Sequence, residues 1–300
     1  MNNVMRELWN RYLTPGSLTW LLWLCGLPFL ATAPILNDGP EIVSVALSGG
    51  VLHPPGFPFQ NIINQLAVHL PFQTASYGLS LVSYTAHCLT SFLFFMFISR
   101  LGLPWMWYFC LGATFFLGGP LIFLGTQPEV FAISHLCIMA AFYLWFQNQN
   151  EPMDPHLNIK ASLLIGISIA QHPITIVALP FWLALAHKCV TQHNKKTQAF
   201  LAFFMPGAVL SCLLYGTLLL MQQDQWPTWG GLSSIADVLN HFLRLEYGSF
   251  DLQEDAVGAS ANTLFIMLTH NAIFGAGLYV LFTSAFIITL LRTQKIKHRV

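Results

Sequence analysis

Residues 79–100, LSLVSYTAHCLTSFLFFMFISR, carry no charge until Arg100 closes the run. The stretch is as long as a helix needs to be to cross a hydrocarbon core, roughly 17–25 residues. In lipid such a run must be helical, because each backbone N–H and C=O needs a partner within its own segment. Comparable runs lie near 17–36, 104–124, 129–147, 161–171, 174–187, 198–221 and 262–291. Together they predict an all-α polytopic membrane protein of about eight crossings. It is read as a single unit over 1–300 with no separate soluble domain. The composition agrees, at 8% charged and 55% hydrophobic, and a soluble globule is excluded. Residues 161–171 and 174–187 are each short for an upright crossing. They read as a hairpin bent at Gln171-His172-Pro173, since proline disfavours helix in the residue before it.

Charge is sorted along these runs. Of the 12 Lys and Arg, Arg6, Arg11, Arg100, Lys160, Lys188, Lys195, Lys196, Arg292, Lys295, Lys297 and Arg299 fall on one side, and Arg244 alone falls on the other. Asp38, Glu41, Glu129, Asp224, Asp237, Glu246, Asp251, Glu254 and Asp255 accompany Arg244. The positive-inside rule then puts both termini in the cytoplasm and this acidic face outside. Arg6, Arg11 and the apolar run after them imitate a signal peptide. Pro34 after Ala31-Thr32-Ala33 and the polytopic body favour an uncleaved first span. Trp20, Trp23, Trp105, Trp107, Tyr108, Trp226 and Trp229 suit interfacial belts. The 6 cysteines are scattered singly, so neither a disulfide framework nor a thiolate metal site is indicated.

Two outer loops are long, 37–78 and 222–261. In the first, Asn37 or Asp38 can cap a helix with Pro40 in its first turn, and Gly49-Gly50 can end it. His53-Pro54-Pro55-Gly56-Phe57-Pro58 reads as a stiffened tight turn. Beyond it, Ile62, Ile63, Leu66, Ala67 and Leu70 share one face of a helix, with Gln60, Asn61, Asn64 and Gln65 on another, as in a helix lying at the interface. In the second loop, Ile235, Val238, Leu239, Phe242 and Leu243 form an apolar stripe. Asp237, His241 and Arg244, at i, i+4 and i+7, are expected on one polar edge.

The residues able to do chemistry each carry a plainer alternative. Asp38 and Glu41, three apart, face the same way on a helix, and mutual repulsion beside the bilayer would let one accept a proton. They could equally be solvated loop acids, or Glu41 could simply favour a helix N-terminus. Glu129 at the start of a span faces a cavity or partner, or complements a helix dipole. His172 in the bend can donate a hydrogen bond, or be a structural histidine. Arg244 can grip a phosphate through paired hydrogen bonds, or make a surface ion pair with Glu246, Asp237 or a headgroup. His53 and His241 can assist it. Two or three outer carboxylates can hold Mg²⁺ or Mn²⁺, although nothing in the sequence demands a metal.

Taken together, these residues resemble a known family. Asn37-Asp38-Gly39-Pro40-Glu41 followed by Gly50-Val51-Leu52-His53-Pro54-Pro55-Gly56-Phe57-Pro58 is similar to the Asp-Ser-Gly-Glu … Gly-Val-x-His-Pro-Pro-Gly-Tyr-Pro signature of GT-C-type multispanning glycosyltransferases. The branch concerned includes a transmembrane protein O-mannosyltransferase of animals and bacterial relatives. Gln127-Pro128-Glu129-Val130-Phe131-Ala132, Gln171-His172-Pro173-Ile174-Thr175, Trp229-Gly230-Gly231 and Phe242-Leu243-Arg244-Leu245-Glu246-Tyr247-Gly248 resemble further segments in the same order. The sequence departs from the pattern at Gly39-Pro40, where the family has Ser-Gly, and at Gly231, where it often has Asp. It also stops at residue 300, ahead of the further spans or soluble C-terminal region of longer relatives.

The resemblance implies a GT-C-like bundle and inverting transfer of a sugar from a polyprenyl- or dolichyl-phosphate to an extracytoplasmic hydroxyl on a protein, lipid or glycan. Asp38 is then expected to be the base or to orient the acceptor, with Glu41 tuning it or binding sugar. Arg244, with His53, His172, His241, Glu129 and Tyr247, would serve the phosphate and substrate. No cofactor is required, and nucleic acid is not a partner. A bacterial inner membrane is favoured, with the endoplasmic reticulum as the alternative. Two rivals remain: a carrier for lipid-linked sugar, which calls for paired broken helices in repeated halves, and a non-catalytic, lipid-binding membrane scaffold.

Overall fold

A computed structural model of the chain describes residues 14–34, 38–101, 105–148, 155–192, 194–221, 228–229 and 231–245. Every regular element among them is helical. In chain order these are α1 (Pro15–Gly26), α2 (Gly39–Ser48), α3 (Pro58–Ala67), α4 (Ala75–Ser99), α5 (Trp105–Leu117), α6 (Gly119–Gly125), α7 (Phe131–Gln147), α8 (Pro155–Ile169), α9 (Leu179–Thr191), α10 (Lys196–Gly216) and α11 (Ile235–Phe242), with 3₁₀ turns at Leu27–Phe29, Pro173–Ala178 and Thr217–Leu220.

Three stretches among the described residues are long and apolar enough to cross a bilayer: Ala75–Ser99, Pro173–Thr191 and Lys196–Leu220. The second is longer than the sequence suggests, because a 3₁₀ turn after the bend runs straight into α9. Other expected spans are shorter, for local reasons. α1 ends at Gly26 and passes into the 3₁₀ turn Leu27–Phe29, where Pro28 has no N–H to continue the α-helical ladder. Gly118 takes an extended ψ of 116° ahead of Pro120, which divides 104–124 into α5 and α6. The expected span 262–291 lies outside the described residues.

α4 is central and packs against α1, α5 and α7. Its N-cap Thr74 accepts the Tyr77 N–H, which satisfies one otherwise orphaned donor. α8 and α10 approach still more closely. A Cβ on Gly166 would lie 2.3 Å from the Gly207 carbonyl oxygen, and one on Gly207 would lie 2.1 Å from that of Ser162. The absence of side chains there lets the two backbones touch, as small residues allow between membrane helices. Pro206 interrupts the α10 ladder, and the adjacent Gly207 N–H donates to Ser162 Oγ at 2.8 Å.

The helices of the two long loops each bury one face. On α3, Gln60, Asn61 and Asn64 are buried, while Leu66 on the apolar face and Leu70 just beyond the helix are more than half exposed. On α11, His241 and Val238 are buried while Ile235 and Leu239 face outward. The polar face of α3 therefore turns into the protein, whereas α11 splits its apolar stripe, packing Val238 and Phe242 inward and leaving Ile235, Leu239 and Leu243 exposed. Arg100, Lys188 and Lys195 mark the opposite end of the bundle, where Lys188 Nζ donates to the Asn148 carbonyl.

The α8–α10 crossing yields a direct test. Gly207→Val should lower thermal stability by about 1–3 kcal/mol, the usual penalty for overpacking. Gly216→Ala, with nothing within 4 Å of the added carbon, should be neutral or slightly stabilising. Unfolding of the detergent-solubilised variants would check both.

Candidate active site

Asp38 occupies the N-cap position of α2, where its carbonyl accepts the Ile42 N–H at 2.8 Å but its carboxylate makes no capping bond. Pro40 sets the first turn, Glu41 follows within it, and Gly49 ends the helix at φ 73°. The chain then folds back so that His53 returns to the start of α2. There the Glu41 carboxylate takes two hydrogen bonds from one residue. Oε1 accepts the His53 backbone N–H at 2.7 Å, and Oε2 accepts the ring Nδ1–H at 2.8 Å. An ionised carboxylate can only accept, so the ring proton sits on Nδ1. The other ring nitrogen, Nε2, lies 3.9 Å from Asp38 Oδ2, too far for a direct hydrogen bond. The Asp38 side chain is about a third exposed (35%).

The His53–Pro58 turn is tight. The Gly56 N–H donates to the His53 carbonyl at 2.7 Å, with Gly56 at φ 86°. Phe57 is also left-handed, at φ 41° and ψ 56°, a conformation that costs a residue with a Cβ about 1–2 kcal/mol. Its ring explains why it stays there. It is buried, lies edge-on to His53 with centroids 5.0 Å apart, and stacks on His172 at 5.3 Å and 5°. His172 Nδ1 accepts the Ile174 N–H at 2.9 Å, so the neutral ring keeps Nε2–H as its donor. Burial pushes the His172 pKa from the ordinary 6.5 down to about 4, helped by the nearby Arg244 and His53.

The second outer loop closes over this turn. Thr228 Oγ1 accepts the Val51 N–H at 2.9 Å, and the Trp229 N–H donates to the Val51 carbonyl at 3.1 Å. The Trp229 ring then stands edge-on to His53, 6.3 Å away. His241 is fully buried and donates from Nε2 to the Leu52 carbonyl at 3.0 Å. A Cβ on Gly56 would lie 3.1 Å from the His241 ring. His241 therefore braces the turn. Arg244 follows α11 in a left-handed conformation, φ 57°, and its N–H donates to the His241 carbonyl at 3.0 Å.

That last turn corrects the expected polar edge. α11 stops at Phe242, so the i+7 register does not reach Arg244. Asp237 is taken up in a capping box, where its Oδ2 accepts from the Ser234 N–H and hydroxyl at 2.8 Å and from those of Ser233 at 3.0 Å. Those bonds hold its pKa below the ordinary carboxylate value.

Glu129 is fully buried, and its backbone N–H donates to Ser83 Oγ, which also lies 3.2 Å from its carbonyl. The segment abuts α2, since a Cβ on Gly39 would lie 3.5 Å from the Pro128 carbonyl. Asp38, Glu41, His53, Glu129, His172, His241 and Arg244 therefore converge on one end of the bundle. Tyr247 and Glu246 lie outside the described residues.

A layer of buried carboxamides beneath the site was not foreseen as part of it. Gln171 Nε2 donates to the Val130 carbonyl at 2.9 Å and to Gln60 Oε1 at 3.2 Å, and Gln60 Nε2 donates to Asn64 Oδ1 at 2.9 Å. Asn61 Nδ2 donates to the Gly50 carbonyl at 3.0 Å. The polar face of α3 carried the signal, but it reads equally well as solvent-facing. Phe57 gave no signal, because a phenylalanine after glycine does not announce a left-handed backbone.

His172 sets a pH dependence. Its folded pKa lies below the unfolded value, so the unfolded chain binds more protons between the two. Its contribution to stability is whole above about 6.5 and is lost as pH falls towards about 4. His172→Gln should flatten that part of the decline in a comparison of melting temperatures across the window.

The description "Protein O-mannosyl-transferase TMEM260 N-terminal domain" matches residues 38–197, more than half of the chain, beginning at Asp38. The mouse protein named "Protein O-mannosyl-transferase TMEM260" is 25% identical over 259 residues, covering 77% of this chain and 34% of its own length. The Dictyostelium discoideum protein of the same name is 27% identical over 236 residues, covering 72% of this chain and 28% of its own length. The chain thus spans about a third of the relatives it matches. No solved structure matches. A conserved description that starts at the acid of the site and runs through its bend leaves one conclusion: the chain belongs to the family of the TMEM260 protein O-mannosyl-transferase N-terminal domain.

Proposed function

We propose that the chain is a membrane glycosyltransferase, O-mannosyltransferase-like, moving a sugar from a polyprenyl-phosphate to a protein hydroxyl on the extracytoplasmic face. One observation carries the reading. Segments far apart in sequence bring a carboxylate that makes no capping bond, Asp38, to the end of the bundle that also holds a neutral histidine donor, His172, with Arg244 near it. Such a site suits in-line displacement at an anomeric carbon. Asp38 takes the acceptor proton as the acceptor oxygen attacks, and the bond to phosphate breaks with inversion. Arg244 and the Nε2–H of His172 meet the charge growing on the departing phosphate.

One feature supports a lipid-linked donor. An apolar cleft of about 400 Å³ opens between α3, α4 and α7, lined by Phe59, Ile63, Leu81, Val82, Leu89 and Leu136. It begins two residues past Phe57, so an isoprenoid chain can lie in it while its phosphate reaches the site. The relatives' names supply mannose as the first sugar to try. A monophosphate leaving group paired with a guanidinium needs no metal, and the reaction should survive chelation.

The test is a titration with polyprenyl-phosphate mannose, read for both binding and transfer to a Ser/Thr peptide. Arg244→Ala should weaken donor binding by at least about tenfold, the loss of a charge-assisted pair. Asp38→Asn should keep binding and lose about 10²–10⁴-fold in turnover. EDTA should change neither. Donor binding that Arg244→Ala leaves intact, or turnover that Asp38→Asn leaves intact, would overturn the corresponding role.

A further inference from the structure

His53 has no exclusive claim to the phosphate side. Its Nδ1–H and its backbone N–H both go to Glu41, which fixes the ring plane and the tautomer. A neutral ring held this way has its lone pair on Nε2, on the side where Asp38 Oδ2 stands 3.9 Å away. A lone pair is a poor partner for a phosphate oxygen and a good one for a proton. Phe57 and Trp229 stand edge-on to the ring and limit its movement. Among the described residues, the charged and titratable groups placed around it are Glu41 and Asp38 from the start of α2, His172 from the bend, and Arg244 beyond α11.

We propose that His53 is the second station for the proton that Asp38 removes, with Glu41 as the residue that positions it. The idea rests on the glycosyl-transfer reading and deepens it. As the acceptor oxygen bonds to the anomeric carbon, its O–H bond breaks and the proton passes to Asp38. The carbon–oxygen bond to phosphate breaks at the same time, and its electron pair leaves with the phosphate. A side-chain rotation of Asp38 closes the 3.9 Å gap and delivers the proton to Nε2 of His53. The resulting imidazolium, paired with Glu41, releases the proton to water and restores Asp38 for the next turnover. Glu41 acts only through His53, as a carboxylate does when it orients an imidazole base.

The experiment uses the full chain in lipid nanodiscs with polyprenyl-phosphate mannose and a Ser/Thr peptide, measuring kcat, donor KM and the pH profile. His53→Gln should lower kcat by about 10²-fold, the lower end of what a proton-transfer group contributes. Donor KM should stay put, and kcat should fall across the whole pH profile. Glu41→Gln should shift kcat the same way by a smaller factor. In the wild type, ¹⁵N-histidine NMR should find the neutral ring of His53 as the Nδ1–H tautomer, a readout that does not depend on any variant folding. A raised donor KM at unchanged kcat in His53→Gln would make this residue a phosphate ligand and overturn the relay, as would the Nε2–H tautomer. Transfer by the wild type with kcat preserved in His53→Gln removes the relay alone. A wild type that neither binds nor transfers removes the transferase reading and the relay with it.

Discussion

A polar group beside a bilayer cannot fall back on solvent, and that constraint shapes the outer end of this protein. Helices that lie along a membrane turn their apolar sides towards lipid, so every amide and carboxamide on the other side must find its partner within the chain. Several inward groups of α3 and α11 follow this rule. The inward face of α3 hands Asn61 to the Gly50 carbonyl and Gln60 to Gln171, and the inward face of α11 hands His241 to the Leu52 carbonyl. Those bonds are what bring the start of α2, the bend at His172 and the end of α11 to one place. The site is a by-product of satisfying buried polar groups, and the candidate chemistry occupies the positions where satisfaction stops.

Much of this was legible beforehand. Helicity followed from the apolar runs. Asp38, Pro40, Gly49 and Gly56 have the backbone roles their residue types suggest, and the bend at Gln171-His172-Pro173 lies where proline places it. The less legible parts depended on contacts distant in sequence. Pairing of Glu41 with His53 needs the chain to double back after Gly49, and hydrophobic periodicity is blind to that. The register from Asp237 to Arg244 failed because Ser233 and Ser234 compete for the Asp237 carboxylate and because α11 ends first. Segment lengths were overestimated at 17–36 and 104–124, where Pro28 and Gly118-Gly119-Pro120 interrupt the helix, since composition sees such residues as lipid-compatible while the backbone breaks at them.

The family membership and the geometry support each other at particular residues. The matched region starts at Asp38 and takes in Glu41, His53, Glu129 and His172, the residues that α2, the turn and the bend bring together. His241 and Arg244 lie beyond it, yet His241 packs on Gly56 and Arg244 influences His172. The packed unit around the turn is therefore longer than the matched region.

The stacked pair of Phe57 and His172 has a thermodynamic consequence. Side chains that are already immobilised have little rotational freedom left to lose when a ligand arrives, and ordering such groups commonly consumes about 0.5–1.5 kcal/mol for each side chain. Here Phe57 is held by burial in a backbone conformation it would not choose, and His172 is held by the Ile174 N–H and by the ring beneath it. A small polar headgroup makes few contacts and can spare little energy for ordering its receptor. A receptor whose aromatic floor is set in advance leaves that headgroup's few interactions for the moment at which charge moves.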